Sequence, residues 1–194
     1  MALSDVALCA RALVMIGAAP IASFAEETTE AEVAAMLYPV LRDGMLAGYP
    51  WRFAARGGWL SRLGEGGNDA DDEGDSLFAL PGDFIRLLSL SGAGGDIARF
   101  ELRHQAVSCP AGRAARVYLQ YVGRLPEASF PAWFDLALIA RLAAEFCLPL
   151  TESTSRADYL SKRADELFRQ ARLADAQQST PHAIRDFTLL EARL

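Results

Sequence analysis

The stretch "GYPWRFAARGG", residues 48–58, sits where a helical pattern stops and a different periodicity begins. Gly48 and Tyr49-Pro50 end a helix, because proline fixes its own φ and drives the preceding residue toward extended backbone. Trp51 and Phe53 then flank the charged Arg52, and Gly57-Gly58 follow as a flexible exit. No side chain in this string is paired for catalysis. Tyr49, Pro50, Trp51 and Phe53 read as a structural corner, with the aromatic rings plugging the junction between two parts of the fold.

Upstream of the corner the period is helical. Residues 4–16 carry an N-cap serine, Ser4, and an apolar face of Val6, Cys9, Leu13 and Ile16, closed by Gly17. Thr28 or Thr29 caps a second helix near 29–47, with Val33, Leu37, Val40, Leu41 and Gly44 keeping the 3.6 period. Pro39 lies inside it and predicts a kink or a split.

Downstream, short apolar runs are separated by Gly, Pro and Asp: Trp59-Leu60, 76–80, 84–90, 97–104 and 115–122. That spacing predicts hairpins or a small antiparallel sheet. Helical periodicity returns at 132–147, where Pro149 is expected to stop it, and again from Ser153 or Thr154 to about Gln177. The expected fold is therefore mainly α. Segments 1–55 and 127–178 form a helical bundle, 56–126 a small antiparallel β insertion with an acidic Gly-rich loop, and 179–194 a C-terminal docking tail.

Composition narrows the function classes. The 194 residues are 52% hydrophobic with a formal net charge of −6, enough for a packed core and unfavourable for a broad electrostatic grip on nucleic acid. The basic residues are almost all arginines spread along the chain, with Lys162 the single lysine. Cys9, Cys109 and Cys147 are odd in number and far apart, without a C-x-x-C, so buried thiols are expected rather than a redox or metal motif. Asp5 and Arg11 interrupt the first apolar stretch and no uncharged apolar run is long enough to span a bilayer, so no signal peptide and no membrane span are expected, and cytoplasmic synthesis is.

A search for chemistry returns weak candidates. The loop 64–75 carries Asp69, Asp71, Asp72, Glu73 and Asp75, but an EF-hand counted from Asp69 would need a glutamate where Leu80 stands. His104 and His182 have no partner at metal-ligand spacing. No serine sits in a nucleophile-elbow context, and the glycines at 92–95 are not followed by a helix that could bind phosphate. No enzyme activity, cofactor or metal is expected.

Three stretches resemble one family. "ALCARALVMIGAAPIASFAEETTEAEVAAMLYPVLRDGMLAGYPWRFAARG" is similar to the opening of phage head–tail connector proteins, where two helices run into an aromatic Y-P-W-x-F-A corner. "LFALPGDFIRLLSL" resembles that family's L-P-x-D strand, and "VYLQYVGRLPEASFPAWFDLALIARLAAEFCLPLTEST" its strand-to-helix segment. The chain thus looks like the tail tubular protein A group of head–tail adaptors, found in tailed phages and in phage-derived gene transfer agents.

The resemblance implies a virion component at the head–tail junction. Such an adaptor forms a homo-oligomeric ring, usually of twelve subunits, beneath the portal protein and above a stopper or tail-completion protein. Double-stranded DNA passes through the ring without sequence recognition. On this reading Ile184, Phe187, Leu189, Leu190 and Leu194 are expected to dock on the portal or an adjacent subunit. The acidic loop residues Asp69, Asp71, Asp72, Glu73 and Asp75 are expected to face the channel or a neighbouring subunit. The alternatives are a DNA-binding or packaging accessory protein and a small hydrolase with an unrecognised site.

Overall fold

A computed structural model of the chain describes residues 3–65, 75–111 and 116–178. Helix α1 spans Asp5–Ile16; the Ser4 hydroxyl accepts the Ala7 N–H at its start, and Gly17 closes it with φ 80°. Helix α2 spans Thr29–Ala47, with the Thr28 hydroxyl accepting the Ala31 N–H. Helices α3, Ala132–Thr151, and α4, Thr154–Ala176, complete the set among the described residues. Helix α3 is the centre of this layer. Ten of its side chains are buried, among them Phe134, Leu138, Leu142 and Phe146, and it packs against α1, α2 and α4.

Pro39 does not split its helix, and Pro149 does not stop its own. Helix α2 runs unbroken through Pro39, and α3 continues past Pro149 to Thr151. Both prolines lie on exposed faces, as do Ala35 and Glu145, whose carbonyls lose their helical partners there. Water can serve a carbonyl on such a face, so the missing bond is cheaper than at a buried turn. Helix α3 ends instead at Glu152, which adopts φ 52° and donates its N–H to the Leu148 carbonyl.

The strands are β1 Ala55–Trp59, β2 Arg62–Glu65, β3 Ser76–Ala79, β4 Phe84–Gly92, β5 Gly95–Asp96, β6 Glu101–Arg103, β7 Ala106–Cys109 and β8 Tyr118–Gly123. They form two four-stranded sheets, ordered β1-β8-β4-β5 and β2-β3-β7-β6, and every pairing is antiparallel. The expectation of a mainly α bundle with a small β insertion is therefore wrong. The fold is a mixed α/β one, with four helices and two full sheets.

The sheets have their own core. Leu90, Leu119 and Tyr121 of the first sheet meet Phe78, Val107 and Cys109 of the second in a cluster separate from the helical core. The opposite face of the first sheet supplies Val122, Ile85 and Leu88 to the helical core. This sheet is thus the middle layer, apolar on both faces. Strand β4 serves both sides by breaking strict alternation, with register shifts between Phe84 and Arg86 and between Leu87 and Ser89.

Candidate docking surface

The corner is where these layers are joined. Trp51 is fully buried, and its indole N–H donates to the Met45 carbonyl at 2.8 Å, in the last turn of α2. Its ring lies 4.9 Å from Tyr49, 5.7 Å from Phe53, 5.7 Å from Trp133, 5.2 Å from Phe134 and 5.5 Å from Phe168. Phe53 in turn meets Phe130, Trp133 and Phe134. The corner therefore binds the end of α2 to the starts of α3 and β1 and to the outer half of α4. Pro50 is exposed, on the solvent side of the turn.

A polar seam joins the same layers. Asp43 on α2 accepts from Arg124, just past β8, at 3.2 and 2.6 Å, and from Arg42 at 2.9 Å. Burial alone would raise the Asp43 pKa, but these two guanidiniums outweigh it and hold the carboxyl below its ordinary range. Glu127 accepts from Tyr38 and Arg42 at 2.9 and 3.2 Å. Burial, aided by the Glu127 carboxylate, pushes the Tyr38 phenol well above its ordinary value, so it remains a donor. Below this seam Asp83, in the L-P-x-D stretch, accepts from Arg56 at 2.9 Å and from Tyr121 at 3.0 Å.

A groove opens between α2 and α4, with α3 as its floor. It holds about 440 Å³ and is lined by Val40, Leu41, Gly44, Met45, Arg141, Glu145 and Phe168. Arg141 on the floor is engaged by Asp165 and Glu145. The lining is apolar apart from Arg141 and Glu145. Met36 and Val40 continue the apolar stripe along α2 and are 68% and 70% exposed. The periodicity had placed Val40 on the inward face of α2. Val33, Leu37 and Leu41 of that face are partly buried against the helical core, whereas Val40 faces solvent.

Of the other residues singled out in the sequence, Asp75 pairs with Arg99 at 2.6 Å, and its side chain is 10% exposed. Asp69, Asp71, Asp72, Glu73, Ile184, Phe187, Leu189, Leu190 and Leu194 lie outside the described residues, as does His182. His104 is exposed in the β6–β7 turn with φ 53°. All three cysteines are buried, and burial together with the Asp5 charge pushes the Cys9 thiol up to about 12. Among the described residues no cluster of His, Cys, Asp and Glu could hold a metal, and no helix is long and apolar enough to cross a membrane.

No protein-family model matches the chain, and no curated protein matches it. The likeness to head–tail adaptors rests on the three sequence stretches alone.

Proposed function

We propose that this chain is a structural head–tail adaptor of a tailed phage or gene transfer agent particle. It forms a ring beneath the portal through which double-stranded DNA passes, with a stopper or tail-completion protein below. One observation carries the reading: the three stretches that resemble the family meet in space at the layer junctions. Trp51 of the first packs on Trp133 and Phe134 of the third. Asp83 of the second bonds Arg56 of the first and Tyr121 of the third.

The role asked of such a chain is mechanical: a stiff body presenting surfaces to neighbours. An aromatic corner and an ion-paired seam tying three layers together supply that stiffness. The reading is tested by imaging particles that carry an epitope-tagged copy of the chain, decorated with a labelled antibody. Label confined to the junction of head and tail, with annular density there, is the expected result. Particles that assemble fully while lacking the chain would overturn it.

A further inference from the structure

The first sheet ends on an open edge. Strand β1 is its outermost strand, and at five residues it is the longest edge strand among the described residues. We propose that β1 is a dimer contact of the free protein: two copies of this chain join their β1 edges antiparallel about a two-fold axis between their Gly58 residues, making one sheet across both copies. The inference stands independently of the adaptor reading.

The hydrogen-bond ladder shows which backbone groups are available. Leu60 donates its N–H to the Val117 carbonyl at 2.9 Å, and the Ala54 carbonyl accepts the Gly123 N–H at 3.0 Å. Ala54 and Leu60 therefore face β8, and alternation along the regular β1–β8 register turns Arg56 and Gly58 to that side too. Ala55, Gly57 and Trp59 point their backbone groups the other way. The Ala55 N–H is taken by the Arg52 carbonyl at 3.2 Å. Gly57 and Trp59 keep both N–H and C=O turned outward, with no partner among the described residues.

The side chains leave this edge clear. Edge strands are commonly guarded by charges, prolines or bulges. The single charged residue of β1, Arg56, is drawn inward: its side chain crosses Gly123 of β8 to reach Asp83 at 2.9 Å. Tyr118 leans over Gly57 from β8 and so covers the face of the sheet rather than its edge. A β-carbon on Gly58 would meet nothing within 4 Å.

The sequence of the strand then selects a second copy as the occupant. Two β1 strands can use all of the outward groups of Gly57 and Trp59 in one register, with Gly57 of each copy opposite Trp59 of the other and Gly58 opposite Gly58 on the axis. Four hydrogen bonds form. Each bulky Trp59 then faces a residue without a side chain, beside the Tyr118 ring that leans over that glycine. Trp59 is 56% exposed in the single chain, and this pairing covers it. Such self-complementarity is what a two-fold contact requires of its residues. A two-fold contact closes at two copies, so it is not the contact repeated around a ring, and its loss leaves that reading untouched.

Sedimentation of the full chain across a concentration series tests the proposal. The parent should show a reversible monomer–dimer equilibrium. Gly58→Glu sets two carboxylates face to face on the axis and should raise the dissociation constant by about tenfold or more, while its circular dichroism stays that of the parent. A cysteine gives a second readout, because the native thiols are all buried. Facing Cα atoms in a pair of this kind lie about 4.5 Å apart, within disulfide reach, so Gly58→Cys should cross-link to a dimer on mild oxidation. Gly82→Cys, exposed and with equal room in the turn before β4, should cross-link about tenfold more slowly, since only chance collision joins it. A parent that stays monomeric at every concentration would overturn the proposal and leave the edge to a strand of another protein. A dimer that Gly58→Glu leaves intact, or equal cross-linking at the two positions, would overturn it by assigning the contact to another surface.

Discussion

Asp175, one residue from the end of α4, accepts the backbone N–H of Arg52 through both carboxylate oxygens, at 3.1 and 3.0 Å. Asp175 is fully buried, so this bond is made away from water between residues 123 positions apart. It caps the donor left free where the corner leaves α2, and it fixes the end of α4 against that corner. Asp175→Ala should remove the acceptor and strand the Arg52 N–H, a loss of about 1–3 kcal/mol. Urea unfolding followed by circular dichroism measures it; an unchanged midpoint would show the clamp to be dispensable.

Trp51 sits at the centre of the same corner, touching five other aromatic rings. Replacing it with alanine removes their common partner and leaves a cavity between α2, α3 and α4, at a cost of about 3–5 kcal/mol. Trp51→Phe keeps an aromatic ring but leaves the Met45 carbonyl without its indole donor. It should cost less than the alanine variant yet remain measurable. The two thermal midpoints, compared with the parent, separate packing from hydrogen bonding. If the two variants melted together, the ring stacking would carry no weight.

How much of this was legible in the sequence follows from which residues decide each part. The helices were readable because Ser4, Gly17 and Thr28 act locally, through caps made within a few residues. The corner was readable because proline and clustered aromatics act through their own shape. The sheets were read too small. Strand β1 is "ARGGW", whose two glycines give no β signal, and β7 is only "AVSC". The run 97–104, read as one strand, is divided in the structure, with only Glu101–Arg103 of it paired as β6. Strand β4 alternates imperfectly because it serves two cores through its register shifts. The Asp175 clamp and the α2–α4 groove were invisible because both depend on contacts between residues more than a hundred positions apart.

The Asp43 seam should make stability depend on pH with a defined sign. Burial acts against the carboxylate, but Arg124 and Arg42 overcome it and keep the folded-state pKa below the unfolded one. The contribution is therefore complete above the ordinary carboxylate range and lost as the pH falls through the folded-state value. Arg124→Ala removes the two-point partner and should shrink the acid-side loss of stability. Both proteins should be compared from pH 7 down to the acid transition, at low and high salt. Because Arg124 is 42% exposed, salt should weaken the effect in the parent and change the variant little. Parallel pH profiles for parent and variant would contradict this account.

Gly57 and Tyr118 make a sharper test of the first sheet, because propensity and packing predict opposite signs. Strand β1 is an edge strand, and glycine inside a strand is entropically costly, so Gly57→Ala would ordinarily be neutral or favourable. Here a β-carbon on Gly57 would overlap the hydroxyl end of the Tyr118 ring on β8. That ring cannot swing away freely, since it stands edge-on to Trp59 at 5.1 Å, and Arg116 lies over the Trp59 face at 4.7 Å. The clash should dominate, with Gly57→Ala losing about 1–3 kcal/mol as overpacked sites do. Tyr118→Ala alone should cost stability through its lost ring contact. Adding Gly57→Ala to it should then cost nothing further, because the obstructing ring is gone. The double-mutant cycle reads this as a coupling energy of the same size as the single Gly57→Ala loss. Additive effects would mean that the glycine is kept for some reason other than the approach of Tyr118.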